Sequence, residues 1–120
     1  LAQSIWFDPD RRLWIQTDMS EDNLYKGKLA PFGSNQMLCA NPDTGEIRRF
    51  LVGPPGQEIT GVITTPDGKT MFVNVQHPGA HTSKEDFAAG KLGSQWPDGK
   101  GYPRSATLVI TREDGGIIGA

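Results

Sequence analysis

Apolar and polar positions alternate in short runs along this chain, and the runs are cut by Pro-Asp turns. Met71, Val73 and Val75 alternate with Phe72, Asn74 and Gln76, so one face of that run is uniformly apolar and the other turns polar toward its end. The run before it, Gly61-Val62-Ile63-Thr64-Thr65, is joined to it by Pro66-Asp67-Gly68. Pro66 presets φ, Asp67 bonds its own backbone and Gly68 accepts a positive φ, so the pair reads as a β-hairpin. Glu58 heads the first strand, while Asn74, Gln76 and His77 close the second. The chemistry is expected at these strand ends.

The same pattern occurs earlier in the chain. Ser4-Ile5-Trp6-Phe7-Asp8, Pro9-Asp10-Arg11-Arg12 and Leu13-Trp14-Ile15-Gln16-Thr17-Asp18 repeat the strand, turn and strand of the later hairpin. After a loop, Gln36 to Phe50 aligns with Ala106 to Ile118, each a strand, a tight turn and a strand. Four-stranded antiparallel units repeating at roughly 40 to 60 residues are the signature of β-propeller blades. The expectation is an all-β chain of two four-stranded antiparallel blades, residues 1–55 and 56–120, the second carrying a long inserted loop at 77–105. Ser83 as N-cap and Gly90 as stop predict a short helical turn inside that loop.

Two blades cannot close a ring, so the chain reads as part of a longer protein and as a processed or excised piece; it begins Leu1-Ala2-Gln3 with no signal-like segment. Open apolar faces and strand edges predict self-association or further strand pairing. Composition narrows the function classes. Fifteen glycines and nine prolines among 120 residues, with 36% hydrophobic residues, describe many turns around a modest core. A net charge of -2 without a basic stripe argues against nucleic acid, and the short apolar runs argue against a membrane partner. One cysteine, Cys39, closes no internal disulfide and has no zinc-ligand spacing.

Glu58 follows a Gly53-Pro54-Pro55-Gly56 bend at the strand that propellers place beside the axial channel, where a carboxylate suits calcium or iron. An exposed loop glutamate is the competing reading. His77 suits a metal or a phosphate, or simply closes its loop by hydrogen bonds. Pro78 and Gly79 argue against a helical His77-x-x-x-His81 zinc site. Asp18 is the first-blade counterpart, a calcium ligand or a loop cap. Arg104 offers a bidentate guanidinium to phosphate or to a surface carboxylate. Asn74 and Gln76 complete the set of metal or phosphate contacts. Trp6, Trp14 and Phe72 read as packing between blades, and Trp96 as a loop anchor or a binding wall. No nucleophile elbow or phosphate-cradling glycine loop is present, and no catalytic residue is assigned.

Several segments together, Leu13 to Asp18, Asn41 to Pro54, Glu58-Ile59-Thr60-Gly61, Thr65 to Gly79 and Pro103-Arg104-Ser105-Ala106-Thr107, resemble the C-terminal portion of PhoX-type alkaline phosphatases. Phe72-Val73-Asn74-Val75-Gln76-His77-Pro78-Gly79 is the most specific part. The resemblance implies a bacterial six-bladed propeller, periplasmic or secreted, that hydrolyses phosphomonoesters with iron and calcium at one channel mouth. It implies Glu58 as a ligand, the other ligands lying on blades outside this chain, and a fragment inactive alone. Its partners would be the missing blades and a small phosphomonoester. A noncatalytic propeller that binds through its loops, and a calcium-dependent lactonase-like propeller, are the alternatives.

Overall fold

The computed structural model describes residues 2–120. The first sheet is antiparallel with strands in chain order: β1 (Ala2–Phe7), β2 (Leu13–Thr17), β3 (Gln36–Ala40) and β4 (Ile47–Val52). The second contains β5 (Glu58–Thr64), β6 (Thr70–Gln76) and β7 (Ala106–Thr111), again in chain order. The turns form as their residues dictate. Gly68 N donates to Thr65 O at 2.8 Å, and Asp67 Oδ1 accepts from Lys69 N at 3.1 Å. The Thr65 hydroxyl, and after it the Lys69 N–H, hold the exposed Asp67 carboxyl below its usual range.

The second sheet has three strands among the described residues where the repeat predicts four. Beyond the Asp114 turn the chain leaves the sheet instead of pairing with β7. Ile118 N donates to Gly68 O at 3.0 Å, the buried Ile118 side chain joins the core, and Arg112 Nη1 donates to Ala120 O at 2.8 Å. Burying an isoleucine against both sheets outweighs the ladder bonds that two more edge residues would make with water available as the alternative partner.

The core lies between the sheets. Trp14 and Met37 come from the first, and Ile59, Met71, Val73 and Val75 from the second. β5 is the strand of the second sheet that crosses the first, meeting β1, β2 and β3. A register row of Trp6, Trp14, Cys39 and Arg48 runs across the first sheet, and Trp14 meets the Phe50 ring edge-on at 4.8 Å. Phe72 is not part of this packing: it stands on the outward face of the second sheet beside Ile63 and Val109, all three exposed. Ile5, Phe7 and Ile47 are likewise exposed on the first sheet.

Buried amides cross the same interface. Gln16 is fully buried, yet its Nε2 donates to the carbonyl of Gly61 on the other sheet at 3.0 Å and its Oε1 accepts from the Ser4 hydroxyl. Gly61 sits at a β-bulge with φ of 55°, a conformation that a side chain rarely adopts, and the bulge takes its carbonyl out of the β5–β6 ladder. Asp8, at the end of β1, is the other buried polar anchor. Its carboxylate accepts from the Trp14 indole at 3.0 Å, from Arg12 N at 2.9 Å and from Arg12 Nη1 at 3.1 Å.

Loop 77–105 is pinned at several points. α1 (Lys84–Ala88) forms with Ser83 Oγ accepting from Asp86 N at 3.0 Å, as the sequence predicts. Trp96 packs against the core and is the loop's anchor. The His81 ring lies over Gly56 and Gly93, where an added Cβ would meet it at 2.0 and 2.5 Å.

Two outcomes follow. Asp8→Ala leaves the buried Trp14 indole without an acceptor and is expected to lower unfolding free energy by about 2–3 kcal/mol in urea titration; Asp8→Asn, which keeps an acceptor, should lose less. Burial pushes the Cys39 thiol up, Asp8 adding to the shift while Arg12 and Arg48 oppose it. The thiol therefore stays protonated to higher pH, and the midpoint of its alkylation rate against pH should lie above that of free cysteine.

Candidate functional site

Asn35, immediately before β3, organises one end of the interface. Its side-chain oxygen accepts from Met19 N at 2.6 Å and from the Thr17 hydroxyl at 3.0 Å; its nitrogen donates to Met19 O and to Gln57 O, both at 3.1 Å. All four hydrogen-bonding positions of the amide are thus used at a site only 2% exposed. Gln57 answers from the other sheet, its Nε2 donating to Asn35 O at 2.9 Å. Gly53 makes room for that amide, since a Cβ there would lie 2.2 Å from Gln57 Cδ. The crossing between sheets is thereby fastened to the exit of β2. Asp18 and Met19 are held on one side, and Glu58, next after Gln57, on the other.

Between them lies a cavity of about 400 Å³. Asp18, Glu21 and Asp22 line one side, and Glu58 and His77 the other. His77 Nε2 lies 3.4 Å from Glu58 Oε1, and Nδ1 lies 3.4 Å from Gly56 O. The His77 backbone takes φ of 38°, unusual for a residue with a Cβ, and its N donates to Ser105 Oγ at 2.9 Å across loop 77–105. Four carboxylates and one imidazole in a concave site focus negative potential and draw cations. Among the described residues, no three His, Cys, Asp or Glu side chains form a group that could hold a metal ion.

Of the residues singled out in the sequence, Asp18, Glu58 and His77 come together here. Asn74 and Gln76 instead line a separate, shallow cavity on the outward face with Thr60, Ser105 and Thr107, where Thr107 Oγ1 donates to Asn74 Oδ1 at 2.7 Å. Gln76 is nevertheless the register partner of Glu58, so the two cavities adjoin through one strand pair. Arg104 lies in neither; it forks onto Asp98 at 2.7 and 3.1 Å in the exposed loop. Sequence reasoning missed Glu21, Asp22, Asn35 and Gln57. Three acids within Asp18-Met19-Ser20-Glu21-Asp22 at the start of a long loop were the available signal for the first two. Nothing in a lone amide distinguishes a buried clamp from a solvated side chain.

The chain matches the family described as Alkaline phosphatase PhoX over residues 1–79, and it belongs to that family. Among solved structures it is similar to Pseudomonas fluorescens PhoX in complex with vanadate, a transition state analogue, with 49% identity over 99% of this chain and a TM-score of 0.76. It spans 19% of that protein's chain. Comparison with curated proteins gives no match.

Asn35→Ala removes acceptor and donor from three buried backbone groups and should lower stability by about 3 kcal/mol. An unchanged urea midpoint would show that the clamp contributes little.

Proposed function

We propose that this chain supplies one wall of the metal and phosphate site of a larger, metal-dependent phosphomonoesterase, with Glu58 as a metal ligand. The observation that carries the reading is the convergence of Asp18, Glu58 and His77 on one acidic cavity in a member of an alkaline phosphatase family. The vanadate complex of the similar protein adds support, because a transition state analogue of that kind mimics phosphorus under attack.

The donor chemistry fits the metals. Carboxylate oxygens from Asp18, Glu21, Asp22 and Glu58 suit calcium, and the His77 imidazole suits iron. The Gly56 carbonyl beside Nδ1 and the Glu58 carboxylate beside Nε2 orient the ring, and a metal held here would take Nε2 in the tautomer whose Nδ1–H donates to Gly56 O. When bound, such metals polarise phosphoryl oxygens and offset the charge that develops on them. The chain's own contribution is positional: Asn35 and Gln57 fix the two acidic walls, and the Ser105 contact fixes the strained His77. Because few donors here stand close together, the remaining ligands belong to the rest of the parent protein, and the isolated chain is inactive.

In the same reading the two sheets are neighbouring blades of a six-bladed propeller. The exposed faces bearing Ile5, Phe7 and Ile47 and bearing Ile63, Phe72 and Val109 then meet the next blades in the ring. The parent works in the periplasm or outside the cell. Among the described residues no helix is long and apolar enough to cross a membrane.

Chelation of the full-length parent is expected to abolish phosphomonoester turnover, and readdition of calcium with iron to restore it. Glu58→Gln should weaken metal binding by at least about 10-fold, read by elemental analysis after dialysis. Retention of full metal content by that variant would make Glu58 structural and favour a noncatalytic propeller.

A further inference from the structure

His77 lines a second cavity as well as the acidic one. This cavity, of about 430 Å³, is walled mainly by Pro78, Ala80, Phe87, Leu92 and Pro103, with Lys84 also on its lining. Its volume falls in the range of small-molecule sites, and such sites are mostly apolar with a few placed polar groups. The Phe87 ring stacks on Tyr102 with centroids 5.6 Å apart and planes 23° apart. Both rings remain more than half exposed, at 55% and 68%. A flat aromatic pair that is fixed but uncovered is a surface on which a third ring can stack.

The cavity is also preformed by local bonds. Thr82 Oγ1 donates to Gly79 O at 2.6 Å and accepts from Gly93 N at 2.9 Å, while Ala80 N donates to His77 O at 3.1 Å. The first two join the Gly79 and Gly93 stretches of the loop through Thr82, and the third ties Ala80 to the backbone of the residue that borders the acidic site. A phosphomonoester has two unlike ends, an anionic phosphoryl group and an organic alcohol. His77 separates two cavities of matching unlike character.

We infer that the apolar cavity beside His77 is a subsite for the organic portion of the ester, a flat aryl group stacked on Phe87, while the phosphoryl group faces Glu58. The choice of ester rests on the phosphomonoesterase reading; binding of the aryl group itself does not. Lys84 at the cavity lining attracts the anionic ester without contributing to ring stacking.

The test uses the full-length parent and two probes. 2-Naphthol binding, followed by its fluorescence on chelated protein, is expected to saturate in the wild type, to weaken roughly 10-fold in Phe87→Ala and to recover in Phe87→Tyr. Ala80→Trp, at an exposed position that fills the cavity without disturbing the core, should block binding while leaving the unfolding transition in place. In the metal-loaded protein Phe87→Ala should raise KM for 2-naphthyl phosphate about 10-fold and leave glycerol 3-phosphate unchanged. Absence of saturable naphthol binding, equal binding by Phe87→Ala, or an equal loss with both esters would overturn the subsite. Intact naphthol binding without hydrolysis of either ester would overturn the phosphatase reading alone.

Discussion

Three buried side-chain amides decide how the two sheets meet. Gln16 reaches from β2 to the bulged carbonyl of Gly61, Asn35 reaches from the start of β3 to Gln57, and Gln57 returns the bond to Asn35. Apolar packing between Trp14, Met37, Ile59 and Met71 supplies most of the stabilisation, but it is tolerant of small slides because dispersion is short-ranged and non-directional. The amides are not tolerant. Each is almost fully buried, and a slide of one residue would strand several donors and acceptors without water at about 1–3 kcal/mol apiece. The interface therefore has one register, and the cavity at its edge inherits that register.

This accounts for where the functional groups stand. Asp18 follows Thr17, whose hydroxyl donates to Asn35, and Glu58 follows Gln57, whose carbonyl accepts from Asn35. A single amide thus sets both walls. His77 completes the edge in a backbone conformation that its surroundings must enforce, through Ser105 on the far side of a long loop.

The hairpins and their turns were legible because period-two alternation and Pro-Asp or Asp-x-Gly punctuation are local signals. Met71, Val73 and Val75 are buried and Phe72, Asn74 and Gln76 exposed, as the alternation predicts. The grouping of Asp18 with Glu58 and His77 followed from the repeat, which places equivalent strand ends at one edge. That no eighth strand forms among the described residues was not legible, because Ile117 and Ile118 have the composition of a strand and only the packed structure shows Ile118 entering the core instead. Phe72 takes no part in the packing between these two sheets for a related reason: alternation gives two faces but not which neighbour covers each. Asn35 and Gln57 escaped notice because an amide in a loop looks the same whether buried or wet.

If this edge of the fold is a metal-bearing wall, metal must stand against Glu58. Anomalous diffraction from crystals of the full-length parent, collected above and below the iron edge with calcium present, would locate it. Metal is expected at about 2.0–2.6 Å from the Glu58 carboxylate, within the cavity shared with Asp18 and His77. Metal bound elsewhere, with only solvent between Glu58 and Asp18, would contradict it.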